Sequence, residues 1–282
     1  MEKLLYPLWR TQDKTPDDFR DMLLEQLCPR LLELGGVRGI RLCVADSAVA
    51  AAAARCMANN APVPDAMLSL WVDDSGAAAA WEPLIDASVA RRSAYQVVES
   101  EPLVNQAVHP SEPGERVYGM CHVVFFRKPR ALAREEWLDI WQGSHTRVAI
   151  DTQSTFGYRQ NVVVRSLDED SLVFDAIVEE NFPPGAMTSD HDFYATGGDD
   201  AQLQQRMAEM MNSCMRFIDF EYIDVIPMSE YLVKPLTRGA CREATPGGLV
   251  PRFRHRSAGR VSGRPGVGGS GTGLISPALA AR

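Results

Sequence analysis

The chain has 282 residues, 45% of them hydrophobic, and a formal net charge of −8 at pH 7, which is enough to bury a core in one large or two ordinary domains. Charge is uneven: from Arg238 to Arg282 eight Arg face one acid, Glu243, so this tail carries about +7 and the rest about −15, which excludes a nucleic-acid-gripping basic surface from all but the tail. No apolar run approaches the roughly 20 residues that cross a bilayer, and MEKLLYPLWR lacks a secretory apolar stretch, so a cytoplasmic protein with no nucleic-acid or membrane partner is expected.

In chain order, the first half reads as a strand near Leu4 to Trp9, a helix from Thr15 to Leu34, strands at Gly39 to Val44 and Ala66 to Val72, a helix around Ala77 to Ala90 and a strand near Ala94 to Ser100. Ala48 to Ala54 adds a helical turn or two behind an Asp46 or Ser47 cap. His109-Pro110 and Glu112-Pro113-Gly114 mark a linker. The second half reads as strand Cys121 to Phe126, helix Ala133 to Thr152, strands Tyr158 to Val164 and Leu172 to Glu179, helix Asp200 to Met215 and strand Phe217 to Ile226. This order of strands and helices is α+β. The expected division is residues 1–105, a linker at 106–117, 118–237, and a Gly- and Arg-rich tail at 238–282 with too few large apolar groups to offset the entropy of ordering.

An ungapped shift of 118 positions aligns Trp137 with Phe19, Gly157 with Gly39, Arg159 with Arg41 and Val162 with Val44. TPDDF at Thr15 to Phe19 then lies under AREEW at Ala133 to Trp137, two acidic helix starts ahead of an aromatic anchor. The copies diverge at Leu23 under Trp141, Leu27 under His145 and Cys43 under Asn161. The first half is therefore read as a degenerate structural partner and the second as the half that carries a site.

The segment Phe125 to Val164 places Trp141 and His145 four residues apart on one helical face, between two strands. Lys128-Pro129, Glu135-Glu136, Trp141-x-x-x-His145 and Gly157-Tyr158-x-x-Asn161 follow one another here, and this pattern resembles the EthD family. The resemblance implies a ferredoxin-like α+β barrel in which two βαββαβ units lay their sheets around a central cavity. Two copies in one chain then form a pseudo-dimeric α+β barrel, and a homodimer of the whole chain is also admitted.

The candidate catalytic residues are His145, His122 and Tyr222, and the candidate substrate-binding residues are Trp141, Asn161, Phe126 and Arg159. Period-two alternation puts His122, Val124 and Phe126 on one face of their strand, and Phe220, Tyr222, Asp224 and Ile226 on one face of theirs. If both faces point inward, His122 and Tyr222 meet. A neutral imidazole is a competent base near neutral pH, and a Tyr hydroxyl can donate to a developing enolate. Asp151, Asp175 and Glu179 are available to orient an imidazole. His145 also reads as a helix histidine bonded across the interface between the halves, and Trp141 as cavity wall.

His191, between Asp190 and Asp192, reads as a loop residue, and Met207, Met210, Met211 and Met215 as a helix face. The six cysteines, at 28, 43, 56, 121, 214 and 241, form no C-x-x-C pair, so no metal is expected. Walker, Rossmann and Ser-elbow motifs are absent from the sequence. The expected function is a cofactor-independent lyase, dehydratase, cyclase or isomerase acting on a hydrophobic carbonyl or phenolic small molecule. The alternatives are an EthD-type oxidoreductase, either cofactor-free or haem-linked through His145, and a non-catalytic ligand-binding barrel.

Overall fold

The computed structural model describes residues 1–169 and 171–236; the tail expected at 238–282 lies outside the described residues. The chain begins with β1 (Glu2–Trp9) and α1 (Pro16–Met22), which passes through a π-helical turn, Leu23–Leu27, into α2 (Cys28–Leu32). Thr15 starts this helix with a reciprocal capping box: its hydroxyl accepts from the Asp18 amide, and the Asp18 carboxylate accepts from the Thr15 amide. Strand β2 (Val37–Val44), a 3-10 segment Ser47–Arg55, β3 (Met57–Ala58) and β4 (Ala66–Val72) follow. The first half closes with a 3-10 segment Ser75–Ala80, α3 (Glu82–Asp86), β5 (Arg91–Arg92) and β6 (Tyr95–Leu103).

The second half repeats this order. Strand β7 (Met120–Arg127) leads to α4 (Arg134–Leu138), a π-helical turn Asp139–His145 and α5 (Thr146–Thr152), then β8 (Gly157–Ser166) and β9 (Ala176–Phe182). A 3-10 turn Pro184–Met187, α6 (Asp190–Phe193), α7 (Asp200–Cys214) and β10 (Asp219–Lys234) complete it. The π turns fall on equivalent positions of the 118-residue repeat, so Leu23 to Leu27 correspond to Trp141 to His145.

Eight long strands close a ring in the order β2-β4-β1-β6-β8-β9-β7-β10, with β10 returning to β2. All pairings are antiparallel. Each half contributes four neighbours in ferredoxin-like order, β2-β4-β1-β6 and β8-β9-β7-β10. The seams are equivalent: the last strand of each half pairs with the second strand of the other, as β6 with β8 and β10 with β2. This is a pseudo-dimeric α+β barrel built from one chain.

One apolar cluster takes Leu5, Cys43, Met67, Tyr95, Val97, Cys121, Val123, Phe125, Val163, Ile177, Ile226 and Met228 from all eight barrel strands, so it occupies the interior. A separate cluster of first-half residues, including Leu4, Tyr6, Leu8, Phe19, Leu42 and Leu70, lies between the outer sheet face and its helices. The second-half equivalent gathers Phe126, Trp137, Trp141, Tyr158, Val162 and Phe217. At the apolar end of the interior, the space lined by Pro7, Tyr95, Phe125 and Phe174 is about 10 Å³, no more than one water requires. Side chains fill this end, in place of the expected open cavity, as an eight-stranded barrel permits.

Three expectations need correction. Cys121, Val123 and Phe125 point inward, so His122, Val124 and Phe126 share the outer face of β7. Strand β9 begins at Ala176, four residues beyond the expected Leu172: its pairing with β7 and β8 starts there, at Phe126 and Val162, and Phe174 ahead of it packs into the interior cluster. Strand β10 runs to Lys234, since its second half pairs with β2 and closes the barrel, a contact between distant segments that local periodicity does not report.

Candidate functional site

The interior end opposite the apolar cluster is ionic. Arg159 donates to Glu101 at 3.0 Å, to Glu230 at 2.7 Å and to Glu179. Lys3 donates to the Asn161 carbonyl at 2.8 Å and lies 3.5 Å from Glu179, while Arg41 lies 3.1 Å from Glu230. Burial alone would raise the Glu179 carboxyl, but Lys3, Arg159 and Arg41 outweigh it and hold it down at about 2. The expected binding residues Arg159 and Asn161 therefore do meet, inside the barrel, with their charges and polar atoms paired to protein groups. Such a network links the halves.

On the outer face of the second half the situation reverses. Glu180 follows Glu179 and points the other way, as alternation along a strand requires. It stands in a row across three strands, paired with Tyr158 on β8 and with His122 on β7. Among the described residues the Glu180 carboxyl has no hydrogen bond or ion pair, yet only 9% of the residue is exposed. Burial pushes its carboxyl up to about 7, which puts a carboxyl group at the protonation midpoint of neutral solution.

Tyr158 is prepared by its neighbours. Its hydroxyl oxygen accepts the Trp141 indole N–H at 3.3 Å and the Gln160 amide at 3.3 Å, while Gln160 also donates to Thr146 Oγ1 at 2.9 Å. With both acceptor positions taken, the phenol proton is directed away from these donors. Burial, then the nearby Glu180 charge, raise the phenol above its ordinary value, so it stays protonated. Trp141 is fixed against Phe126 at 5.3 Å and Trp137 at 5.1 Å. The π turn carries Trp141 and His145, and π turns inside helices are frequent at functional sites.

His145 lies in the same layer. Its Nδ1 is 2.9 Å from Ser213 Oγ on α7 and its ring is 4.5 Å from Phe217. Burial, aided by Arg216, lowers it to about 4, so at neutral pH it is an uncharged hydrogen-bonding group. His122 packs between Phe182 at 5.1 Å and Phe193 at 5.6 Å, and its buried Nε2 has no partner among the described residues. Burial, then Arg55, lower His122 to about 3. Tyr222 is elsewhere: His122 pairs with Pro227, five residues further along β10, or roughly 16 Å at strand rise, and the Arg127 guanidinium lies 4.1 Å over the Tyr222 ring.

Asp151 pairs with Arg147 and the Asp175 carboxylate accepts from the Lys128 amide at 3.0 Å, so with Glu179 inside the barrel none of the three orients an imidazole. His191 is tied to Thr196 at 2.7 Å and to Asp200 at 3.2 Å. His145 is 4% exposed and its ring packs against Phe217 inside the helix layer; a haem would need that layer to open, so the residues as packed do not fit haem ligation. Glu180 escaped sequence reasoning because the expected strand ended at Glu179. The available signal was the doubled acid inside AIVEENF, which on a strand must send one carboxylate to each face.

Fold and site together define a single-chain α+β barrel in which, among the described residues, the buried Glu180 carboxyl on the outer sheet face of the second half has no hydrogen bond or ion pair. No protein-family model matches the chain, and no curated protein matches it. Among solved structures it is similar to an "anthrone oxidase-like protein", at 12% identity and a TM-score of 0.49, covering 82% of this chain and 93% of that one. It is also similar to a "putative monooxygenase" from Lactobacillus acidophilus NCFM, at 8% identity and a TM-score of 0.42, covering 83% and 96%. A "Putative Chlorite dismutase" matches at 10% identity and a TM-score of 0.42, covering 82% and 94%.

Proposed function

We propose that the second half carries a cofactor-independent proton-transfer site, in which Glu180 is the general base and Tyr158 the hydrogen-bond donor to a developing enolate or phenolate oxygen. The observation that carries this reading is the buried Glu180 carboxyl, without a partner among the described residues and one strand from a Tyr hydroxyl whose acceptor positions are filled. A base poised near neutral pH takes a proton from carbon or a phenol, and the donor stabilises the charge left on oxygen. Loss of a leaving group, cyclisation or isomerisation then follows, which is lyase or isomerase chemistry on a hydrophobic carbonyl or phenolic compound. Trp141 forms an apolar wall and holds Tyr158. His145 takes the role of a neutral group joining α5 to α7 beside the site, in keeping with its bond to Ser213. The EthD-like pattern fits this reading, since its Trp and Tyr meet in the Trp141–Tyr158 hydrogen bond.

The test is turnover of aromatic and polyketide-like carbonyl compounds followed by mass spectrometry, with dissolved oxygen monitored alongside. Glu180→Gln should lower turnover by about 100-fold to 10,000-fold, the usual contribution of a positioned base. His145→Gln should leave most activity in the folded fraction. If His145→Gln abolishes turnover and Glu180→Gln does not, the base is His145. Oxygen uptake matched to product would move the reaction to a cofactor-free oxygenase using the same deprotonation.

A further inference from the structure

We propose that the segment from Pro183 to Asp199 is the gate of the Glu180 site, and that Arg55 of the first half is the positioning residue that holds it shut; the inference rests on the Glu180 reading above. The segment leaves β9 directly after Phe182, two residues beyond Glu180 on the same face. It folds back over that face: the Phe193 ring stacks on Phe182 at 4.3 Å with planes 17° apart, and lies 5.6 Å from His122, the cross-strand neighbour of Glu180. Tyr194 follows, half-buried, and burial together with Cys214, Asp190 and Glu180 raises its phenol to about 12. Phe193 and Tyr194 thus roof the row that contains the base.

The far end of the segment turns tightly into α7. Ala195, Gly197 and Gly198 have φ of 51°, 58° and 94°, immediately before the Asp199 cap of α7. Ala195 occupies the left-handed region at a steric cost that a glycine avoids, and Arg206 of α7 restrains this end by donating to the carbonyls of Tyr194 and Ala195 at 2.6 and 2.9 Å.

The near end is latched from the other half of the molecule. Arg55 donates to the Met187 carbonyl at 3.2 Å and to Asp190 at 3.0 Å, and its guanidinium lies 4.5 Å over the Phe193 ring. One side chain therefore touches the segment at three points. Its own base is fixed: the Asp46 carboxylate that caps Ser47–Arg55 accepts from Ser229 at 2.6 Å and from the Tyr231 hydroxyl at 2.8 Å on β10. The first half, with leucines where the second has Trp141 and His145, would then serve the site as its latch.

Dicyclohexylcarbodiimide tests this on the full chain, because it modifies protonated carboxyl groups in apolar surroundings and the adduct on Glu180 is read by peptide mass spectrometry. The labelling rate of Glu180 should rise about tenfold in Arg55→Ala, the shift in opening expected from losing a charge-assisted contact, and less in Arg55→Lys. Asp190→Asn, which keeps the cation–π contact, should lie between wild type and Arg55→Ala, and serves if Arg55→Ala melts below the assay temperature. Equal Glu180 rates in wild type and all variants that remain folded overturn the gate. A labelling profile that falls away near pH 4.5, while the variants still differ, leaves the gate standing and removes Glu180 as a neutral-pH base. No Glu180 adduct in any variant overturns both.

Discussion

Glu179 and Glu180 sit side by side in sequence, and their surroundings drive them apart: three cations hold the first ionised, while the second is buried without one. The sign of the stability effect follows. Between the ordinary value of 4.5 and about 7 the folded protein holds a proton on Glu180 that the unfolded chain has released, so Glu180 makes the fold less stable as pH rises through that window. The full cost, on the order of 3 kcal/mol, is reached above pH 7. His122 and His145 act oppositely: both stay neutral when folded, so the stability they contribute is complete above about 6.5 and declines as pH falls toward 4 and then 3. Glu180→Gln should thus match wild type at pH 4.5 and exceed it at pH 8, measured by urea unfolding at both pH values. A variant less stable than wild type at pH 8 would mean that the carboxylate has a stabilising partner.

At the scale of elements, the sequence was most readable where one face repeats. Ala66 to Val72 is a strand at the expected residues, and the Thr15 start of the first helix follows from its own capping residues. The π turns were not readable, because Leu23 to Leu27 and Trp141 to His145 keep an ordinary helical pattern. For the site, the motif located the layer that holds Trp141 and His145. It did not locate Glu180, whose state depends on which partners are missing. The repeat also located one tight packing point, the start of β8. A methyl group on Gly157 would meet Asn181 Oδ1 at 2.4 Å and Asn105 Cβ at 2.6 Å, prising apart the Asn105–Asn181–Glu230 hydrogen bonds. Gly157→Ala should cost about 1–3 kcal/mol. Gly143, in the π turn, has nothing within 4 Å of an added methyl, and Gly143→Ala should gain up to about 1 kcal/mol from helix propensity. Thermal melts of the two variants should move in opposite directions; a destabilised Gly143→Ala would show that the π turn itself requires glycine.

For the whole molecule, the ring is held by two seams and by charges that cross between halves. Lys3 and Arg41 come from the first half and meet Glu179, Asn161 and Glu230 of the second, while Arg159 of the second reaches Glu101 of the first. A second-half fragment, residues 118–236, keeps Glu179, Glu230 and Arg159 but loses both other cations. It also opens β8 and β10 along the edges that paired with β6 and β2, and unpaired edges of this kind seek another strand. The equivalence of the two seams tells which strand is available: β10 of one copy can pair with β8 of another, since in the intact chain β6 and β2 hold the matching places. The fragment should therefore self-associate in sedimentation velocity, as a dimer or larger, and mixing it with residues 1–117 should return a one-to-one complex in which the cross-half ion pairs are restored. A folded, monomeric fragment that ignores the first half would show that the second repeat is self-sufficient and that neither the seams nor the shared charges are needed to hold its sheet.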